Sequence, residues 1–322
     1  MKAFITGATG FIGSHLIDLL IDKNVEVRCL VRNNEKWLEG KDYTRINGDL
    51  HDLDALKKGL DGVDVLYHLA AVVMAPDKKT FDLVNVEATE VLIRLAQKIN
   101  VKKIVVLSSL AAVGPSISRP VNEQDPLHPV SMYGESKKKM EEIIHKISEP
   151  DTSITILRAA AVYGPREEQI YTFFKIAAKG FCPIVGDGQN PRISLVHVRD
   201  VVQGLWLAAN HPHKGVETYF ISSDETYTWN QIMKATARAL GKKLIPIHIK
   251  TKLVKNLASL TEKFASFFGY YPVFNREKAN EMVLEWTCST AKAKKDLHYQ
   301  QQVGLEEGIL ETVLWYKRHH WL

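Results

Sequence analysis

Short apolar runs alternate with stretches of helical period through the first half of the chain. Ala3-Phe4-Ile5, Val25–Val31, Tyr43–Asn47, Val63–His68, Lys102–Leu107 and Ser153–Leu157 read as strands: they are short, rich in β-branched and aliphatic residues, and bounded by polar or turn-forming positions. Between them, His15–Lys23, Asp52–Leu60, Lys79–Asn100 and Met132–Ile147 carry apolar residues at helical spacing. Strands alternating with helices at this rhythm predict an α/β fold with a parallel, doubly wound sheet. Beyond Gly164-Pro165 the rhythm loosens. Helical stretches at Gln169–Lys179, Val198–Asn210, Trp229–Leu240, Thr251–Phe268 and Leu305–Lys317 surround short strands such as Ile193–Val196 and Glu217–Ile221. This half reads as a smaller, mixed α/β lobe that closes over a cofactor and shapes a substrate pocket.

The turn after the first strand is Thr6-Gly7-Ala8-Thr9-Gly10-Phe11-Ile12-Gly13. Its glycines permit positive φ and remove the Cβ atoms that would block close approach. The helix that follows offers unpaired N–H groups and a positive dipole end to a pyrophosphate. Strand, glycine turn and helix in this order form the phosphate grip of a dinucleotide-binding fold. The second strand ends at Arg32. An acidic residue there would hold the ribose 2′-OH of NAD, whereas an arginine accommodates the 2′-phosphate of NADP. NADP is therefore the expected cofactor, with NAD as the alternative if Arg32 is merely solvated. After the fourth strand, Leu69-Ala70-Ala71 again suits close backbone approach to a ligand.

Composition adds boundaries. The chain has 322 residues, 45% hydrophobic and 25% charged, enough for a substantial core in one large or two moderate domains. A net charge of +5, from 42 basic and 37 acidic residues, is too mild to point to nucleic acid. Cys29, Cys182 and Cys288 lie far apart in no metal-like spacing, which fits free thiols in a reducing cytosol. No apolar run approaches a membrane span, and Met1-Lys2 runs straight into the first strand without a leader. The expectation is a cytoplasmic protein without a metal site. His68 and His197 read as structural, and His319-His320 as solvated.

Tyr133 and Lys137 share one face of a helix at i, i+4 spacing. A nearby ammonium stabilises a phenolate and lowers a tyrosine pKa, which would suit a general acid/base. The fifth strand ends at Ser109, at the carboxyl edge of the sheet where such folds bind ligand. A hydroxyl there can hold a substrate oxygen against the tyrosine.

Taken together, these pieces resemble an extended short-chain dehydrogenase/reductase of the NAD(P)-dependent epimerase/dehydratase superfamily. The glycine turn, Gly48-Asp49-Leu50, His68-Leu69-Ala70-Ala71, Asn85-Val86, Ser108-Ser109, Tyr133-x-x-x-Lys137, Leu157-Arg158 with Val162-Tyr163-Gly164-Pro165, Val196–Val201 and Gly308…Thr312…Trp315-Tyr316 match in order along the whole chain. The resemblance implies a Rossmann-type domain over residues 1–165, with residues 195–222 folding back onto it. Residues 166–194 and 223–322 would then form the substrate lobe. It implies that Gly7, Thr9, Gly10, Phe11, Ile12 and Gly13 take the pyrophosphate and that Asp49 and Leu50 flank the adenine. Leu69, Ala70, Ala71, Ala160 and Val162 would line the cofactor cleft, and Asn85 would support the active-site region. Tyr133 would be the acid/base, Lys137 would hold the nicotinamide ribose, and Ser109 would orient the reacting oxygen. The helices at Lys79–Asn100 and Met132–Ile147 would pair across a homodimer.

Departures from family patterns narrow the choice. Leu110-Ala111 stands where sugar-nucleotide dehydratases carry Asp-Glu. Ala161 stands where sugar-nucleotide epimerases usually carry a diphosphate-binding Asn. Arg192 resembles a diphosphate-binding arginine, and is equally a surface salt-bridge former. Ser108–Pro115 followed by Glu123-x-x-Pro126-Leu127 is similar to the 3β-hydroxysteroid dehydrogenase and dihydroflavonol reductase branch, whose members act on apolar ring ketones and alcohols. Residues Leu253 to Phe274 mix lysines with aromatic and aliphatic residues. They fit a helix packed on the second lobe, an apolar lid, or a peripheral membrane contact. The sequence thus points to an oxidoreductase moving hydride between nicotinamide and a secondary alcohol or ketone of an apolar ring substrate, steroid- or flavonoid-like. A sugar-nucleotide epimerase that retains its cofactor is the alternative, and a non-catalytic cofactor sensor is a third reading.

Overall fold

The computed structural model describes residues 1–250 and 276–322. The helix expected over Thr251–Phe268, and the Leu253–Phe274 stretch, lie outside the described residues. Seven parallel strands form the central sheet: β1 (Lys2–Thr6), β2 (Glu26–Val31), β3 (Thr44–Asn47), β4 (Val65–His68), β5 (Lys103–Ser109), β6 (Ser153–Ala159) and β10 (Gly215–Ile221). Their spatial order is β10-β6-β5-β4-β1-β2-β3. The chain winds one way from β1 through β3 and the other way from β4, so a crevice opens between the carboxyl ends of β1 and β4.

Pleating sorts the apolar runs onto two faces. Ala3 and Ile5 point to one side, where Leu16, Ile17 and Leu20 of the Phe11–Asp22 helix and Val201 and Leu205 of the Val198–Asn210 helix cover them. Phe4 points to the other, under Leu56 and Leu60 of Leu53–Leu60, Leu92 and Ile93 of Ala88–Lys98, and Met140 and Ile144 of Met132–Ile147. With both faces covered, every residue of β4 is buried, which is why these strands are apolar rather than alternating. Each buried Leu or Ile contributes about 1.5–3 kcal/mol.

The helix expected from Lys79 to Asn100 is interrupted: Lys78–Phe81 passes through a π-helical stretch, Asp82–Glu87, into Ala88–Lys98. Such wide turns cluster where a side chain must be re-aimed, and this one carries Asn85.

The remaining elements include two small sheets. In the first, β7 (Ala161–Tyr163) pairs with β9 (Ile193–His197), which pairs with β11 (Thr226–Tyr227). In the second, β8 (Phe181–Val185) pairs with β12 (Ile245–Ile249) in parallel. Helices Tyr171–Ala178, Trp229–Leu240 and Leu305–Arg318 enclose an aromatic core of Phe174, Tyr227 and Tyr316. Trp321 is folded back against Tyr316 at 5.4 Å, and His319 stacks on Trp315 at 4.0 Å.

Candidate active site

A cleft of about 570 Å³ opens at the crevice between β1 and β4. Its floor is the glycine turn. Gly7 has φ of +77°, and a Cβ there would meet the backbone N of Ala70 at 2.5 Å. A Cβ on Gly13 would sit 2.1 Å from the Gly7 carbonyl oxygen. The turn therefore closes against the Leu69–Ala70 backbone only because side chains are missing. The Phe11–Asp22 helix has no side-chain cap and no acidic residue in its first turn. By contrast Asp52, Asp77, Ser131 and Thr228 cap their helices with side-chain oxygens. An uncapped helix start facing a cleft suits an incoming anion, so these residues fit the pyrophosphate of a dinucleotide.

Gly7, Thr9, Gly10, Phe11, Ile12, Gly13, Leu69, Ala71, Ala160 and Val162 all line the cleft. Ala70 backs it through the Gly7 contact. Asn85 does not line it. It is buried behind, where its Oδ1 accepts from Val72 N at 2.8 Å and its Nδ2 donates to Val72 O and Ser136 Oγ at 2.9 Å each. Asn85 thus ties the loop after β4 to the Met132–Ile147 helix. Asp49 is exposed and accepts from His51 N, beside the buried Leu50. Arg32 is exposed immediately after β2.

Ser109, Tyr133 and Lys137 meet in the same cleft. Gly134 explains how. A Cβ at that position would lie 2.4 Å from Ala111 O, so the helix start packs directly on the turn that follows Ser109. Ser131 caps that start by accepting from Gly134 N at 3.3 Å. Ser109 Oγ accepts from Ala111 N at 3.1 Å and hydrogen-bonds Tyr133.

The electrostatics differ from the expectation. Burial pushes the Tyr133 phenol up to about 12, the Ser109 hydrogen bond opposes this, and Glu281 adds to it. Lys137 lines the same cleft. Its ammonium is buried, donates to Leu107 O at 2.9 Å, and is itself pulled down to about 8 by burial, with Glu141 holding it up. Burial thus keeps the Tyr133 phenol protonated at neutral pH.

Behind this pair lies a buried ionic cluster that sequence reasoning passed over. Arg158 Nη2 donates to Glu141 Oε2 at 2.6 Å, and Ser108 Oγ donates to Glu141 Oε1 at 2.5 Å. Tyr133, Lys137 and Glu141 follow one another at i, i+4, i+8, a spacing that could have revealed it. Lys36, Trp37 and Arg166 also line the cleft. Arg166 bonds Ser14 Oγ at 3.2 Å and Asp18 at 2.8 Å. Only tertiary folding brings these three together, so no local pattern announces them.

His68 is fully buried, bridging Thr6 Oγ1 at 2.7 Å and Thr89 Oγ1 at 2.8 Å, and burial drives its pKa down to about 3. His197 packs on Tyr163 at 5.3 Å. Cys29, Cys182 and Cys288 are buried free thiols. Among the described residues no cluster is placed to hold a metal ion, and no helix is long and apolar enough to cross a membrane.

The profile of the NAD dependent epimerase/dehydratase family matches residues 3–232, and the chain belongs to that family. It is an NAD(P)-dependent enzyme of the extended short-chain dehydrogenase/reductase type. Its relatives are varied. It is 29% identical to a ceramide reductase of Caulobacter vibrioides, across 99% of this chain and 95% of the relative. It is 25% identical to a 4-hydroxy-2-methyl-3-oxo-4-farnesyl-3,4-dihydroquinoline-1-oxide ketoreductase of Stigmatella aurantiaca, across 96% and 95%. Among solved structures, MoeE5 in complex with UDP-glucose and NAD superposes with a TM-score of 0.81 at 25% identity, covering 99% of this chain and 100% of that one.

Proposed function

We propose that this protein is an NADP-preferring reductase that converts a ketone of an apolar, ring-bearing substrate to a secondary alcohol. The observation that carries the reading is the wall around the candidate acid. Leu69, Val73, Met74, Leu107 and Ala159–Val162 give the cleft that holds Ser109 and Tyr133 an aliphatic stretch of wall, with Glu281 as the charged group that acts on the phenol. Arg192, the arginine that a sugar diphosphate would require, spends its guanidinium on Thr226, at 2.8 Å to Oγ1 and 2.7 Å to the carbonyl. The names of the ceramide reductase and the farnesyl-dihydroquinoline ketoreductase support an apolar ketone. The exposed Arg32 and the cleft-lining Lys36, both just past β2, support the 2′-phosphate of NADP.

The nicotinamide, when bound, supplies the hydride. The protein's own residues supply the rest. Ser109 orients the substrate oxygen, and the neutral Tyr133 gives that oxygen its proton as the carbonyl is reduced. Lys137, anchored by Leu107 O, presents a buried positive charge beside the developing alkoxide. Residues 1–165 with 195–222 would form the cofactor-binding unit, supported by β10 completing the sheet beside β6. The remaining residues would form the substrate lobe. A homodimer through the helices at 78–98 and 132–147 is supported by Leu83 and Val91, each 42% exposed.

The test is cofactor consumption by the purified protein, offered apolar ring ketones or UDP-sugars with NADPH or NADH. Net NADPH oxidation with the ketones supports the proposal. The likeness to MoeE5, solved with UDP-glucose and NAD, favours a second reading with a sugar-nucleotide substrate; interconversion of UDP-sugars without net cofactor change would overturn the first.

A further inference from the structure

The two-stranded β8–β12 sheet has one unusual face. Phe181 pairs with Ile245 and Pro183 with Ile247, and paired or alternate residues of parallel strands share a face. Ile245 is 60% exposed, Ile247 46% and Phe181 44%, although all three are large and apolar. The opposite face of β8 is an ordinary core face, with Cys182 and Ile184 fully buried. On β8 the exposed apolar surface is thus one-sided, whereas β12 also exposes Pro246 and His248 on its second face.

The segments that carry it hold charges of one sign up to Gly186, where Asp187 follows. Residues 171–186 and 241–250 contain Lys175, Lys179, Lys242, Lys243 and Lys250 and no Asp or Glu. All five are exposed. Lys242 donates to Ala178 O at 2.9 Å, and among the described residues none of the five forms an ion pair with a carboxylate. A mixed protein surface does not segregate charge in this way, since ordinary surfaces intersperse both signs. Clustered exposed apolar side chains rimmed by lysines match the lipid–water boundary of an anionic bilayer, where apolar groups enter the acyl region and ammonium groups meet headgroup phosphates.

The position of the patch relative to the cleft fits as well. At the other end of the same sheet, Val185 and Ile249 pack on Ala279 and Met282 of the Arg276–Met282 helix. That helix contributes Lys278 and Glu281 to the cleft lining. Among the described residues, this helix thus links the far end of the sheet to the cleft lining.

We infer that the exposed β8–β12 face, with its lysine rim, docks this protein peripherally on an anionic lipid surface. The inference stands on the patch itself and does not depend on the proposed substrate, so its test reads binding and not turnover. Full-length protein is sedimented with vesicles of phosphatidylcholine alone and of phosphatidylcholine with phosphatidylglycerol, at low and high salt. The expected result is binding only to the phosphatidylglycerol vesicles, lost at high salt. Lys179→Glu with Lys243→Glu should weaken it by at least about tenfold, and Ile245→Ser with Ile247→Ser should also weaken it. NADPH binding should be unchanged in both variants, which verifies the fold. Wild-type protein that ignores both vesicles, or variants that bind as well as wild type, would overturn the inference. So would a wild-type dimer that Ile245→Ser with Ile247→Ser dissociates without any vesicle binding, because the face would then belong to a second copy.

Discussion

Tyr133 and Lys137 respond in opposite directions to burial. A buried phenol resists losing its proton and a buried ammonium resists keeping its own. With Tyr133 near 12 and Lys137 near 8, neutral pH holds a protonated donor beside a charged lysine. Lys137 is charged below its pKa, so the proposed ketone reduction should hold level to about pH 7 and decline above about pH 8, approaching tenfold per pH unit. Glu141→Gln removes the negative charge that supports the ammonium, and the decline should begin at lower pH. A pH–rate profile of kcat checks both, and identical profiles in the two proteins would count against the lysine. Tyr133→Phe, which keeps the ring and removes the proton, should lower kcat by about 10²–10⁴-fold. At this scale the sequence was informative where chemistry and spacing coincide: Ser109, Tyr133 and Lys137 do converge. It was silent on which partner sets each pKa, because burial is a property of the whole fold. The hydrogen bond from Lys137 to the Leu107 carbonyl oxygen was likewise not legible, because it joins residues 30 positions apart.

The placement of Tyr133 against Ser109 depends on how two elements touch. The Met132–Ile147 helix reaches the turn after β5 only because Gly134 has no side chain. Gly134→Ala would put a methyl 2.4 Å from Ala111 O, and backbone must give way. A displacement near 1 Å costs about 10²-fold in rate. Gly134→Ala should therefore lower kcat by roughly that factor while the glycine turn still binds cofactor, measurable by comparing turnover with a cofactor titration. The same helix is tied to β6 by the Glu141–Arg158 pair, whose side chains are 1% and 5% exposed. Losing one partner strands a buried charge, at about 3–5 kcal/mol, whereas replacing both with apolar residues is far milder. Urea unfolding of Glu141→Leu, Arg158→Met and the double variant should place the double above either single. The elements themselves were mostly legible. Met132–Ile147, Val198–Asn210 and Trp229–Leu240 have the ends that their apolar period and caps suggest. β7, β8, β11 and β12 were not legible, because they are short and form small sheets through pairings distant in sequence. The π-helical stretch was hidden too, since its six residues keep a helical polarity pattern and reveal their wider turn only through what Asn85 holds.

Across the whole molecule, the wall of the nucleotide cleft is braced from the far end of the sequence. Trp37 lines the cleft, and its ring lies 5.3 Å from Trp315 and 6.3 Å from Trp321. Trp321 is itself fixed: its N–H donates to Tyr316 O at 2.8 Å, its carbonyl accepts from Tyr171 Oη, and its ring stacks on Tyr316. On the other side of Trp37, the Arg166 guanidinium sits 6.0 Å from the ring centroid while bonding Asp18 of the glycine helix. A ligand entering beside Lys36 and Trp37 therefore meets a surface whose shape depends on residues nearly 300 positions away. An aromatic contact is worth about 0.5–1.5 kcal/mol, which corresponds to about two- to tenfold in affinity. Trp321→Ala should accordingly raise the KM for the nicotinamide cofactor by about that factor and leave kcat unchanged, because the proposed reacting groups, Ser109 and Tyr133, belong to a different part of the cleft. Tryptophan fluorescence should report the same coupling: cofactor should alter wild-type emission, and Trp37→Phe should remove most of the change. If Trp321→Ala lowered kcat with KM unaltered, the aromatic cluster would be acting on the chemistry and not on the nucleotide end. If neither parameter moved, Trp37 would hold its place without the brace.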